Sequence, residues 1–91
     1  MFVVVTSNYF LKRAKKFFRK HPELKERFAH VVDELRKDPF HPRFEFHNLG
    51  GKLKGIQAVS LTDSYRITLT VMVTAKEIIL LDIGSHDEVY R

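Results

Sequence analysis

The chain has 91 residues, of which 44% are hydrophobic, and this length suits one domain over residues 1–91. It contains no cysteine, which excludes a disulfide framework and thiolate chemistry. The first residues, Met1 to Thr6, lack the basic segment of a signal peptide and the length of a membrane span. We therefore expect a soluble, cytoplasmic protein with no membrane association.

Positive charge is concentrated in the first half of the chain. The formal net charge is +5, and six basic residues with no acidic residue occur between Lys12 and Lys20. Such a stripe is typical of proteins that bind polyanions, since phosphate attraction supplies affinity and speeds encounter. It equally fits a solvated helix face that keeps a small protein soluble. Charge alone leaves nucleic-acid binding open.

The N-terminal half reads as a strand followed by two helices. Phe2 to Val5 is a short β-branched run that predicts a buried strand. Ser7 is a suitable N-cap for an amphipathic helix that ends at the His21-Pro22 break. Pro22 then suits the first turn of a second helix, which runs to Lys37. Two helices joined this closely predict an antiparallel hairpin.

The C-terminal half changes to the period-2 pattern of strands. Three strands are predicted, at Ile56 to Leu61, Arg66 to Val73 and Glu77 to Gly84, and Phe44 to Leu49 predicts a short edge strand. The short connections between the three favour an antiparallel meander. We therefore predict an α+β fold, in which an N-terminal strand precedes a helical hairpin packed on a mostly antiparallel sheet of three to four strands.

Polar residues of the strand half form a set suited to phosphodiester cleavage without metal. A base would remove the proton of a ribose 2′-hydroxyl, cations would stabilise the phosphorane, and an acid would protonate the leaving oxygen. Histidine suits either proton transfer near neutral pH. Three of the residues could instead have only structural roles: His47 as a strand cap, His86 in a turn hydrogen bond and Tyr90 as a packed ring. The set comprises His47, Lys52, Lys54, Arg66, Asp82, His86 and Tyr90.

Metal chemistry has weaker support in the sequence. His41, His47, Asp82 and His86 carry ligand atoms, but no pair among them has the short spacing of a zinc site. We therefore predict no metal and no cofactor.

Three segments resemble the RelE/ParE toxin superfamily, and within it the YafQ-like mRNA interferases. They are His47 to Gly55, Ser64 to Ile67 and Leu80 to Tyr90, and the similarity in order and spacing covers nearly the whole chain. The resemblance implies the RelE-like microbial ribonuclease fold. It also implies the toxin of a type II toxin–antitoxin pair, which cuts mRNA in the ribosomal A site and is silenced by a cognate antitoxin.

The resemblance also implies roles for individual residues. His86 and His47 match active-site histidines, with His86 favoured for proton transfer, and Tyr90 matches a terminal aromatic that stacks on or orients the substrate. Lys52, Lys54 and Arg66 are similar to cationic positions that bind or stabilise phosphate, with Arg66 counted among the catalytic residues, and Tyr65 occupies a substrate-binding aromatic position next to them.

Three positions depart from the YafQ pattern. Asp82 stands where these enzymes carry an arginine, Ser60 where they carry a histidine, and Ser64 where they carry an aspartate. A carboxylate cannot stabilise a phosphorane, so we expect Asp82 to orient His86 or to hold Arg66. Arg66 would then supply the missing cation.

Two other functions remain open. One is a ParE-like toxin that inhibits DNA gyrase, although that branch lacks the pair formed by His47 and His86. The other is a catalytically weakened relative that still binds RNA or antitoxin, which the departures at Ser60, Ser64 and Asp82 would favour.

Overall fold

A computed structural model describes residues 1–90. These residues form five strands and three α-helices, with short 3-10 turns at Pro22–Leu24, Pro42–Phe44 and Gly51–Leu53. In chain order the elements are β1 (Val3–Val5), α1 (Asn8–Lys20), α2 (Lys25–Lys37), β2 (His47–Asn48), β3 (Gln57–Ser60), β4 (Tyr65–Met72), β5 (Glu77–Ser85) and α3 (His86–Val89).

Helix α1 forms where its sequence is amphipathic. The Ser7 side chain caps it by accepting a hydrogen bond of 3.1 Å from the Phe10 backbone nitrogen. Phe10, Ala14 and Phe17 recur at helical spacing and are buried. The predicted cap and helix are thus confirmed. Helix α2 begins later than predicted, because Pro22 starts a 3-10 turn that precedes it.

The five strands form one sheet in the order β1-β5-β4-β3-β2. Strand β1 is parallel to β5, and the other three pairs are antiparallel. The predicted α+β fold is confirmed, with one correction to the size of the sheet. It has five strands rather than three to four, because the N-terminal strand joins β5 at the sheet edge.

The hydrophobic core lies between the two long helices and one face of the sheet. Leu35 of α2 and Ile78 of β5 are completely buried there. Apolar side chains of this kind stabilise the fold by about 1.5–3 kcal/mol each when fully buried. No helix within residues 1–90 is long and apolar enough to cross a membrane.

Two segments differ from the sequence prediction. The edge strand predicted for Phe44 to Leu49 shrinks to His47–Asn48, because Pro42 begins a 3-10 turn that takes Phe44 into the core. Strand β5 extends to Ser85, one residue beyond its predicted end, and leads directly into α3, for which no helix was predicted. Both differences position residues of the candidate site.

Candidate active site

The sheet register places His47 and Arg66 on the same face of the sheet. His47 lies opposite Ala58 in the β2–β3 pair, and Ser60 lies opposite Arg66 in the β3–β4 pair. Residues directly opposite each other, and residues two apart on one strand, project from the same face. Because Ala58 and Ser60 are two apart, the register brings an imidazole and a guanidinium to one surface.

Helix α3 brings the C-terminal aromatic residues to this surface. Ser85 and Glu88 form a capping box, in which the Ser85 hydroxyl accepts from the Glu88 backbone nitrogen at 3.3 Å and the Glu88 carboxylate accepts from the Ser85 nitrogen at 2.9 Å. A side chain at Gly84 would approach Glu88 to 3.2 Å, so the glycine allows the helix to fold back closely on β5. The box fixes where His86 and Tyr90 project.

His47, His86 and Tyr90 form a three-ring cluster. The Tyr90 hydroxyl lies 3.2 Å from His47 Nε2, within hydrogen-bond distance. The His86 ring stands edge-on to the Tyr90 ring, with centroids 4.1 Å apart. The structure thus brings together three of the predicted site residues from two distant parts of the chain.

The hydrogen bonds of His47 define which of its nitrogens carries the proton. Its Nδ1 lies 2.8 Å from the backbone carbonyl oxygen of Glu45. A carbonyl can only accept, so Nδ1 must donate, and Nε2 of the neutral ring then holds the lone pair. The Tyr90 hydroxyl therefore donates to Nε2. His47 presents a basic nitrogen toward the cluster.

Arg66 is fixed beside this cluster. Its Nη1 donates to the backbone carbonyls of Thr62 at 2.7 Å and Asp63 at 3.1 Å in the β3–β4 turn. Burial raises the pKa of the Tyr90 phenol, and the neighbouring Arg66 guanidinium offsets part of that increase. A cation held by backbone carbonyls thus lies near the Tyr90 phenol.

Lys52 and Lys54 lie in the loop that follows β2. Lys52 is in the 3-10 turn Gly51–Leu53, Lys54 comes directly after it, and both side chains are exposed to solvent. The Lys54 backbone nitrogen donates to the Gly51 carbonyl at 3.2 Å, whereas within residues 1–90 neither lysine ammonium forms a hydrogen bond or an ion pair. The structure therefore does not group Lys52 and Lys54 with the three rings.

Tyr65 lies on the opposite face of the sheet from Arg66. Its ring packs 4.7 Å from His21 and 5.2 Å from Phe17, measured between ring centroids. Adjacent residues of a strand project to opposite faces, so Tyr65 and Arg66 cannot share a surface. The expected grouping of Tyr65 with Arg66 is therefore wrong, because the Tyr65 ring packs against α1 and the residue that follows that helix.

Asp82 also has a different partner from the predicted one. Its Oδ1 bonds Arg13 Nε of α1 at 2.8 Å and accepts from the Ile83 backbone nitrogen at the same distance. Thr68 pairs with Asp82 and Leu69 pairs with Leu80, so Leu81 is an extra residue that forms a β-bulge in β5. Such a bulge changes the direction in which neighbouring side chains project. The predicted interaction with His86 or Arg66 is therefore replaced by an ion pair with α1.

Sequence reasoning missed Glu45, which holds His47. Its backbone has a left-handed conformation, with φ 52°, and its Oε1 accepts from the Ser60 hydroxyl at 3.2 Å. Nothing in the local sequence signals this conformation. Ser64, by contrast, lies in the β3–β4 turn, where its backbone nitrogen donates to Thr62 Oγ1. Within residues 1–90 no group of three or more acidic, histidine or cysteine side chains is arranged to hold a metal ion.

Comparison with known proteins gives matches among solved structures. No protein-family model and no curated protein matches the chain. A metal-bound toxin from Helicobacter pylori is 25% identical, with a TM-score of 0.81 over 99% of this chain and 100% of that one. YafQ from E. coli is 14% identical, with a TM-score of 0.80 over all of both chains. The E. coli DinJ–YafQ complex also matches, with a TM-score of 0.78 over all of both chains.

These neighbours agree with the resemblance in the sequence. At 14% identity the likeness to YafQ establishes the fold, while the chain covers each neighbour over its full length. The structural neighbours of this chain are thus toxins of the YafQ/RelE/ParE-like type II toxin–antitoxin family, and the chain has their fold.

Proposed function

We propose that this protein is the toxin of a type II toxin–antitoxin pair and that it cleaves mRNA on the ribosome as a metal-independent endoribonuclease. The observation that carries the proposal is the cluster of His47, His86 and Tyr90, with the Arg66 guanidinium beside it. The two imidazoles can serve as the base and the acid of RNA transesterification, and the cation can stabilise the charge of the phosphorane. The fold shared with known toxins supports the same function.

The proposed reaction uses the two histidines for the two proton transfers. His47 Nε2 holds a lone pair and is the base that removes the proton of the ribose 2′-hydroxyl, once substrate displaces the Tyr90 hydroxyl. The 2′-oxygen attacks the phosphorus and the bond to the 5′-oxygen breaks. His86, whose side chain is 65% exposed, then protonates the leaving 5′-oxygen. The products are a 2′,3′-cyclic phosphate and a 5′-hydroxyl.

Arg66 and Tyr90 act on the substrate without exchanging its protons. The Arg66 guanidinium stabilises the additional negative charge of the phosphorane, which exists only in the transition state. Tyr90 offers a ring face on which a base can stack. Lys52 and Lys54 attract phosphates that flank the scissile bond, since both are exposed in the loop after β2.

Substitution of His86 tests the enzymatic part of the proposal. Induced expression of the wild-type protein is expected to stop translation and to produce cuts within codons, mapped by primer extension on a reporter mRNA. His86→Ala is expected to abolish the cuts while leaving the circular dichroism spectrum unchanged. His30→Ala is the matched control, because His30 is an exposed histidine of α2. Undiminished cleavage by His86→Ala would contradict the assignment.

A second assay separates cleavage from the alternative toxin activity. Purified wild-type protein is expected to cut a short mRNA on purified ribosomes and to leave DNA gyrase supercoiling unaffected. Inhibition of gyrase without RNA cleavage would instead establish the ParE-like function. Binding of ribosomes without cutting would identify a catalytically inactive relative.

The proposed partner is a cognate antitoxin. DinJ–YafQ is a complex of a protein with the same fold. The net charge of +5 favours an acidic partner that folds on binding and covers basic surface. Co-expression with a small acidic protein encoded beside this gene is expected to restore growth and to yield a complex that copurifies.

A further inference from the structure

Glu45 is held at three separate points. Its backbone nitrogen donates to the Pro42 carbonyl at 3.1 Å, which closes the 3-10 turn before it. Its side-chain Oε1 accepts from the Ser60 hydroxyl at 3.2 Å, and its own carbonyl accepts from His47 Nδ1 at 2.8 Å. One exposed residue thus joins a turn, a strand and the imidazole of the candidate site.

The Ser60 contact extends the β2–β3 pairing beyond its last backbone pair. His47 lies opposite Ala58, so the antiparallel register continued by two residues would place Glu45 opposite Ser60. The backbone has left the ladder there, since Glu45 has a φ of 52°. The side-chain bond replaces the missing backbone pair and fixes the direction of the Glu45 carbonyl.

The backbone of Glu45 has a conformation that is unfavourable for a residue with a side chain. A positive φ costs about 1–3 kcal/mol in a residue other than glycine and persists only where surrounding contacts impose it. Here the 3-10 turn on one side and Ser60 on the other are those contacts. Ser60 therefore does more than occupy the position where YafQ-like enzymes carry a histidine.

We propose that Glu45, anchored by Ser60, is a positioning residue that selects the Nδ1-protonated tautomer of His47. With Nδ1 committed to the Glu45 carbonyl, Nε2 is kept unprotonated and directed at the Tyr90 hydroxyl. An unrestrained imidazole distributes its proton over both nitrogens, and only one of these tautomers presents a base to the cluster. The catalytic consequence rests on the proposed ribonuclease function, but the tautomer itself does not.

Four variants separate the contacts of Glu45. Ser60→Ala removes the hydroxyl donor, and Glu45→Gly removes the carboxylate while still allowing a positive φ. Glu45→Gln keeps an Oε1 acceptor and is the conservative variant expected to behave as wild type. Ser64→Ala is the matched control, because this serine lies in the exposed β3–β4 turn and its hydroxyl is not bonded to Glu45.

The direct measurement is the His47 tautomer by long-range ¹H–¹⁵N NMR at a pH of about 8.5, where an ordinary histidine is neutral. The His47 signals are assigned by their loss in His47→Gln. Wild type, Glu45→Gln and Ser64→Ala are expected to show predominantly Nδ1–H. In Ser60→Ala and Glu45→Gly the ratio of Nδ1–H to Nε2–H should fall about fivefold, the factor equivalent to one ordinary hydrogen bond.

The second measurement is kcat/KM for RNA cleavage, which should fall by about the same factor in Ser60→Ala and Glu45→Gly and recover in Glu45→Gln. An unchanged tautomer ratio in Ser60→Ala and Glu45→Gly would overturn the positioning role, as would Nε2–H in wild type. If the tautomer responds as expected but wild type cleaves no RNA, the positioning role stands and the proposed enzymatic function fails.

Discussion

The pairing of Asp82 with Arg13 predicts that Asp82 stabilises the fold and takes no part in cleavage. The perturbation is Asp82→Asn, which keeps the shape of the side chain, together with Asp82→Ala, which removes it. Arg13 Nε and Asp82 Oδ1 are 2.8 Å apart, and this hydrogen bond raises the pKa of the Arg13 guanidinium. The bond connects α1 to β5 next to its bulge.

The expected loss follows from the exposure of the pair. A hydrogen bond to a charged group contributes roughly 1.5–3 kcal/mol when buried. The side chains are 28% and 17% exposed, so solvent screening reduces this to about 1–2 kcal/mol. The melting temperature should fall by about 4–8 °C for each kcal/mol in a domain of this size.

The assay is chemical denaturation of both Asp82 variants, with a double-mutant cycle that adds Arg13→Ala. A coupling energy of about 1–2 kcal/mol is expected between the two positions. Asp33→Ala is the control, because its exposed pair with Lys37 is worth only a few tenths of a kcal/mol. RNA cleavage per folded molecule should be unchanged in Asp82→Asn. Normal stability with lost cleavage would refute the structural role.

Three further predictions concern the cap, the phenol and the core. Hydrogen bonds with the Ser85 backbone and side chain in the capping box lower the pKa of Glu88 from its ordinary 4.5. The stabilisation by Glu88 is therefore present above pH 4.5 and is lost as pH falls through the lower pKa of the folded state. Glu88→Gln should flatten this part of the pH–stability curve measured by urea unfolding. Burial raises the pKa of Tyr90, while the Arg66 guanidinium lowers it. Arg66→Ala should therefore shift phenolate formation to still higher pH, measured as the difference in absorbance between the protein and its Tyr90→Phe variant. A downward shift would disprove the proximity of Arg66 to Tyr90. Leu35 is 0% exposed, and Leu35→Ala should lower the free energy of unfolding by about 2–5 kcal/mol in the same urea unfolding assay. A loss well below about 2 kcal/mol, the low end of that range, would place this residue outside a packed core.

The helices and central strands were predictable because their signals are local. Ser7 and Pro22 mark the ends of α1 with side-chain chemistry that acts within a few residues. The period-2 pattern locates β4 and β5 to within one residue at each end. Helix α3 was missed although Ser85 and Glu88 have the spacing of a capping box, which is a readable signal.

The parts of the site that were not predictable depend on contacts between distant residues. The positive φ of Glu45 is imposed by a turn and by Ser60, and glutamate has no intrinsic preference for it. The direction of Asp82 depends on a bulge at Leu81, which interrupts an otherwise regular strand pattern. The grouping of His47 with Tyr90 required the complete sheet register. The placement of Tyr65 away from Arg66, however, follows from strand alternation alone.

The parallel pairing of β1 with β5 has a consequence for the order in which the molecule can fold during synthesis. Val4 pairs with Ile78, so β1 cannot complete its pairing until β5 has been synthesised. Contacts between residues so far apart in sequence slow folding, and the sheet of the nascent chain stays incomplete until they form. The ring cluster needs Tyr90 as well. The site therefore cannot assemble until residues up to Tyr90 have been synthesised and α3 has folded back on β5.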